Sequence, residues 1–151
     1  MNAPQTIQSF AGVDQAADPG ALVRFLDTVS TRYFGRVNAR SFEMLRITPG
    51  AAVLEAGCGT GRDAVALRTL VGPAGRVVGI DSSQVMVSQA IERASSAGSP
   101  VEFHVGDVQR LAFDDGTFDG VRSGTVTSVP GCRVALLGSA FASMMSLVGM
   151  P

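Results

Sequence analysis

The chain has 151 residues, an apolar fraction of 46% and a formal net charge of −1, which suits one domain with a hydrophobic core. That charge gives no electrostatic reason to expect nucleic acid or an anionic membrane as a partner. All 12 basic residues are arginine, so a Walker phosphate loop, a pyridoxal Schiff base and a lysine nucleophile are excluded together.

Cys58 and Cys132 lie far apart, with no disulfide framework and no metal-ligand spacing, and no metal site is expected. The opening MNAPQTIQSF lacks the basic and apolar regions of a secretory signal, so the expected compartment is the cytoplasm.

Residues 1–18 lack apolar periodicity and read as a flexible N-terminal arm. A helical lead-in is expected over 19–47. Leu22, Leu26, Val29 and Tyr33 recur at spacings of three and four behind an Asp18 N-cap and Pro19 at the first helical position. A second helix is expected at about Arg36 to Arg46, closed by the turn Thr48-Pro49-Gly50.

From 48 to 122 short apolar runs alternate with helical segments. Strands are expected at Val53 to Ala56, Arg76 to Ile80, Val101 to Val105 and from Phe118 to Val121, with helices at Asp63 to Val71 and Ser83 to Ala97. Continuous apolar strands between helices predict an α/β fold: a Rossmann-like parallel sheet with helices on both faces, built from right-handed βαβ units. The tail, 123–151, breaks this rhythm, and its periodicity from Val134 to Leu147 suggests a helix. The apolar stretch Val134 to Met150 is short for a membrane span and diluted by Gly, Ser and Ala, so no membrane partner is expected.

The glycines carry the chemistry. In Glu55-Ala56-Gly57-Cys58-Gly59-Thr60-Gly61-Arg62 a strand ends in three alternating glycines and opens into a helix, letting a ligand reach bare backbone at a helix N-terminus. A dinucleotide site normally carries G-x-G-x-x-G; here Gly61 comes one position early and Arg62 takes the expected place, which counts against NAD and FAD. Glu55 would repel a pyrophosphate but could pair with an ammonium group. Asp81 ends the second strand, where an acid accepts from ribose hydroxyls, and Asp107 follows the third. These residues describe a nucleoside that also carries an amine.

VLEAGCGTGRDAVAL, VVGIDSSQVMVSQA and VEFHVGDVQRLAFDDGTFDGV resemble, in order, the successive motifs of class I S-adenosylmethionine-dependent methyltransferases. The lead-in LVRFLDTVSTRYFGRVNARSFEMLRITPGAAVL resembles the small-molecule members of the ubiquinone and menaquinone biosynthesis type. The resemblance implies S-adenosylmethionine as cofactor and a small-molecule methyl acceptor as substrate. It implies that Glu55, Gly57 and Gly59 contact the methionine end and that Gly61 lets the helix pack close. Asp81 would hold the ribose hydroxyls, with Ser82 beside the adenine. Asp107 would accept from the adenine amino group and the Val108 N–H would reach the ring, while the Arg122 backbone would line the methionine pocket. No catalytic base is assigned: His104, the single histidine, reads as an ordinary strand residue, and Asp114-Asp115-Gly116 reads as a turn.

The family's sheet has seven strands in the order 3-2-1-4-5-7-6, of which about four are expected here, because GTVTSVPGCRVALLGSAFASMMSLVGMP matches nothing in the family at that position. The expectation is therefore a methyltransferase apparently truncated after the fourth strand, its cofactor half retained and its activity in doubt. Two alternatives stand beside it: a non-catalytic cofactor-binding or partner-dependent module, and a truncated or frame-shifted inactive product. The oligomeric state is left open.

Overall fold

The computed structural model describes residues 10–29, 41–108, 111, 113, 114, 116–123 and 134–136. Strands β1 (Ala52–Ala56), β2 (Arg76–Asp81), β3 (Glu102–Val105), β4 (Gly120–Ser123) and β5 (Val134–Leu136) form one sheet in the order β3-β2-β1-β4-β5. Every pairing is parallel. The described helices are α1 (Pro19–Val29), α2 (Arg62–Val71) and α3 (Gln84–Ser96), with a 3-10 helix at Phe10–Gln15 and a further helical stretch over 41–45.

Alternation along β1 builds the core on both faces, because successive side chains of a strand point oppositely. Val53 joins Val77, Ala64, Leu67 and Val71 under α2, with Phe42, Ile47 and Phe103 packed against them. Leu54 and Ala56 join Val78, Ile80 and Val121 on the other face, where Phe113 and Phe118 meet edge to face at 5.0 Å. Gly61 lies where a Cβ would stand 2.7 Å from the Ala90 Cβ and 2.8 Å from the Phe103 ring, so only glycine lets α2 start this close to α3 and β3.

The four predicted strands are present within one or two residues of their expected ends, and β5 is an additional one. It corrects the start of the helix suggested over Val134 to Leu147: Val134–Leu136 is a strand paired with Val121–Ser123. A three-residue apolar run is too short for periodicity to separate strand from helix, and pairing decides it. The fifth strand takes the place beside β4 that the family's order assigns, and it covers an edge that otherwise carries unpaired backbone groups. The rest of the expected tail helix, and the expected helix before residue 41, lie outside the described residues.

Of the stretch expected as an arm over 1–18, residues 10–18 are described. Val13 is buried against Val23 of α1 and Met86 of α3, and Asp14 accepts from the backbone N–H groups of Gln84 (2.9 Å) and Val85 (3.2 Å). It thereby satisfies donors that a helix start leaves unpaired. Asp18 caps α1 as predicted, accepting from the Ala21 N–H at 2.8 Å. The Asp114 turn also forms, with the Thr117 N–H on the Asp114 carbonyl and Gly116 at φ 76°. No helix among the described residues is long and apolar enough to cross a membrane.

Candidate functional site

In this strand order the chain runs from β1 outward to β2 and β3, then crosses to β4 on the other side of β1. The sheet's topological switch point lies between β1 and β4, where open α/β sheets bind ligands beyond the carboxyl ends of their strands. Glu55 and Arg122 face each other in register at this point.

The glycine turn begins one residue past β1. The N–H groups of Gly57 and Cys58 both donate to the Ile80 carbonyl, at 2.8 and 2.9 Å, which bends the chain sharply toward β2. Gly57, Gly59 and Gly61 have φ of 71°, 52° and 73°, a left-handed run that other residues adopt only with strain. Among the described residues a Cβ at Gly59 would meet nothing within 4 Å, so open space lies between them before the middle of the turn. No side chain caps α2, whose N-cap is Gly61.

Asp81 ties the second strand to this turn. One of its carboxylate oxygens accepts from the Gly59 N–H at 2.8 Å and the other from the Ser83 N–H at 3.0 Å. Each oxygen keeps lone-pair capacity for a further donor. The Gly106 N–H donates to the Asp81 carbonyl at 2.9 Å, bringing the end of β3 alongside. Glu55, Asp81 and Asp107 thus stand at the carboxyl ends of three adjacent strands. Asp81 is half-buried, Ser82 and Asp107 are exposed, and Val108 packs partly against the Leu54 and Ile80 face.

Glu55 and Arg122 are the buried heart of the site, at 2% and 1% exposure. The guanidinium pairs with Glu55 Oε1, reaches Asp63 of α2 at 2.9 Å, donates from Nε to Ser41 Oγ at 2.8 Å and lies 5.0 Å over the Phe42 ring. Glu55 Oε2 is buried and has no hydrogen-bond partner among the described residues. Burial pushes the Glu55 carboxyl up to about 8, Arg122 pulling it down and Asp63 up again. The resemblance implies a role for the Arg122 backbone alone; its buried side chain is the larger presence.

Several residues that touch this site carried no signal in the motifs. Asp14, Asp27, Ser41, Thr60 and Arg93 sit on polar helix faces or between glycines, and only tertiary structure brings them together. His104 stands exposed on edge strand β3, 4.0 Å from Glu102, away from the β1 and β4 ends. Cys58 is buried, and its surroundings push the thiol up, burial first and then the charges of Asp81 and Glu55. Among the described residues no group of three or more His, Cys, Asp or Glu is placed to hold a metal ion.

A parallel sheet in this order, with an acid and three left-handed glycines at its switch point, defines a class I methyltransferase fold. The chain belongs to the methyltransferase domain family, whose model matches residues 53–145 and so extends into the tail, contrary to the expectation that nothing there resembles the family. It is 33% identical over 135 residues to a demethylmenaquinone methyltransferase of Staphylococcus aureus, covering 82% of this chain and 56% of that protein. It is 39% identical over 105 residues to an uncharacterized 37.1 kDa protein in a transposon of Streptomyces fradiae, covering 69% of this chain and 30% of that one. The chain thus spans about half or less of the length of these relatives. A SAM-dependent methyltransferase of Aquifex aeolicus shares the fold, with a TM-score of 0.63 at 23% identity over 90% of this chain and 69% of that one. S-adenosylmethionine is the cofactor that this domain and fold imply.

Two features of the site suit that cofactor. An orphaned buried carboxylate oxygen at the root of the turn fits an ammonium donor, and the open space before Gly59 leaves room for a chain lying along the turn.

Proposed function

We propose that this domain binds S-adenosylmethionine at the carboxyl ends of β1 to β3 and serves methyl transfer to a small-molecule acceptor. The observation that carries the proposal is Glu55: a buried acid with an unpartnered oxygen, at the switch point and directly before the glycine turn.

In this reading Glu55 receives the methionine ammonium, Gly57 and Gly59 let the methionine chain lie against backbone, and Gly61 packs α2 close enough to aim its N-terminus. Asp81, already oriented by Gly59 and Ser83, accepts from the ribose hydroxyls. Ser82, Asp107 and Val108 border the adenine. Arg122 acts through its side chain by holding Glu55, and its backbone lines the methionine pocket.

When bound, the cofactor supplies an activated methyl group on a sulfonium. The protein's share is to align donor and acceptor and to exclude water. An acceptor that must lose a proton needs a base, and no described residue at the switch point is assigned that part. The name of the S. aureus relative favours a small-molecule acceptor.

The short span relative to those relatives favours a second reading, a cofactor-binding module completed by further chain or by a partner. One experiment separates the two. S-adenosylmethionine and NAD are titrated calorimetrically into the purified chain, with methyl release measured alongside. S-adenosylmethionine binding with turnover supports the enzyme, binding without turnover supports the module, and binding of NAD alone overturns both.

A further inference from the structure

Three residues N-terminal to β1, Asp14, Asp27 and Ser41, land on three different parts of the proposed cofactor cleft. Each holds a residue that in turn borders or orients a cofactor-facing one.

At the adenosine end, Asp14 accepts from Ser83 Oγ at 2.5 Å. The Ser83 N–H in turn holds one oxygen of Asp81 at 3.0 Å. At the turn, Asp27 of α1 accepts from Thr60 Oγ1 at 2.5 Å, while Arg93 of α3 donates from Nε to the Thr60 carbonyl at 2.8 Å and pairs with Asp27. The ring closes, so hydroxyl and carbonyl of the one residue between Gly59 and Gly61 are both held. At the amine end, Ser41 Oγ accepts from Arg122 Nε at 2.8 Å, and Arg122 pairs with Glu55.

A turn of three left-handed glycines has little conformational preference of its own, since glycine visits both signs of φ with equal ease. Something outside it must select the bound geometry, and preorganisation of this kind raises affinity by lowering the ordering cost on binding. The ring around Thr60 adds to the hold that Ile80 and Asp81 have on the turn's N–H groups, while the other two bridges orient Asp81 and Glu55.

We infer that Asp14, Asp27 and Ser41 are positioning residues for the cofactor, each tuning one section of the cleft: the ribose end, the glycine turn and the amine end. The inference rests on the cofactor reading proposed above and adds a spatial order to it.

That order makes the test specific. S-adenosylhomocysteine carries both the adenosine and the amino-acid arm; 5′-methylthioadenosine carries only the first. Both are titrated into the full chain, wild type and variants, with thermal unfolding measured in parallel. Ser41→Ala and Asp27→Asn are expected to weaken S-adenosylhomocysteine roughly three- to thirtyfold and to leave methylthioadenosine within about twofold. Asp14→Ala is expected to weaken both ligands together; if it unfolds, Asp14→Asn, which keeps one acceptor oxygen, takes its place. A structural role alone lowers both affinities in parallel for all three variants, and that outcome overturns the inference. So does an unchanged affinity throughout. A wild-type chain that binds neither ligand overturns the cofactor reading itself, and is distinguishable because no variant is needed to see it.

Discussion

Glu55 and Arg122 occupy matched positions on β1 and β4, and their side chains pair in the interior with Ser41, Phe42 and Asp63 closing around the guanidinium. Burying two charges costs solvation that their attraction repays only when the geometry is good, but removing one partner strands the other. Above about pH 8, where the Glu55 carboxyl is ionised, Arg122→Met is therefore expected to cost about 3 to 5 kcal/mol of stability, by denaturant unfolding. Replacing both, with Glu55→Leu and Arg122→Met together, is expected to recover most of it. A double variant as unstable as the single one would show that the two residues act separately.

Two effects oppose each other at Glu55: burial favours the neutral acid, the guanidinium favours the carboxylate, and burial is the larger. The folded carboxyl titrates near 8 against an ordinary value of 4.5, so above 4.5 the unfolded chain has lost this proton while the folded chain keeps it. The contribution to stability is fully present below about 4.5 and is lost as the pH rises toward 8, because the folded state binds the extra proton. Nearby stand the half-buried Asp63, which raises the value, and the buried Cys58, whose thiol remains neutral through this range. Asp14 and Glu102 are shifted the opposite way and act in the acid range. Urea midpoints of wild type are expected to fall from about pH 5 to about pH 8, and Glu55→Gln to flatten that slope.

Gly61→Ala tests the packing at the start of α2. The new methyl meets the Ala90 Cβ at 2.7 Å and Phe103 at 2.8 Å, at a φ of 73°. Overpacking of this kind costs about 1 to 3 kcal/mol, with left-handed strain added. Gly98→Ala has a similar φ of 59° but nothing within 4 Å, so it carries the strain without the clash. The difference between the two variants in thermal or chemical unfolding isolates the clash. Equal losses would remove the packing role given to Gly61.

What was legible in the sequence was what local pattern encodes. Val53-Leu54 before Glu55 and Val77 to Ile80 are short apolar runs between helical segments, the rhythm of a sheet covered on both faces, and the early third glycine separates this turn from a dinucleotide loop. Asp14, within the stretch 1–18, carries no local periodicity because its contact is with the start of a helix seventy residues further on. Val134–Leu136 looked helical because a run that short takes its state from its neighbour, here β4. Arg122 was placed at the site through its backbone alone, since nothing in FDGVRSG tells that its side chain turns inward to Glu55.

Cys58 sits inside the turn and yet should be inert. It is buried, and burial together with the charges of Asp81 and Glu55 disfavours the thiolate, which is the reactive form. Iodoacetamide at neutral pH is expected to leave Cys58 unmodified in the folded chain and to alkylate it once urea unfolds the protein, as read by peptide mass mapping. Labelling at the same rate in both states would mean that the turn opens freely, and that the hydrogen bonds from Gly57 and Cys58 to Ile80 do not hold it.

Asp81 is the residue on which binding should depend most directly. Its two oxygens already accept from Gly59 and Ser83, so the carboxylate is oriented before any ligand arrives and ties the turn to the start of α3. A hydrogen bond to a charged group is worth roughly 1.5 to 3 kcal/mol, and Asp81→Ala removes one or two of these to the ribose besides loosening the turn. S-adenosylmethionine affinity is expected to fall by about one to three orders of magnitude, by calorimetric titration of a variant that still unfolds cooperatively. An unchanged affinity in that folded variant would take Asp81 out of the ribose site, leaving it only the work of joining β2 to the glycine turn.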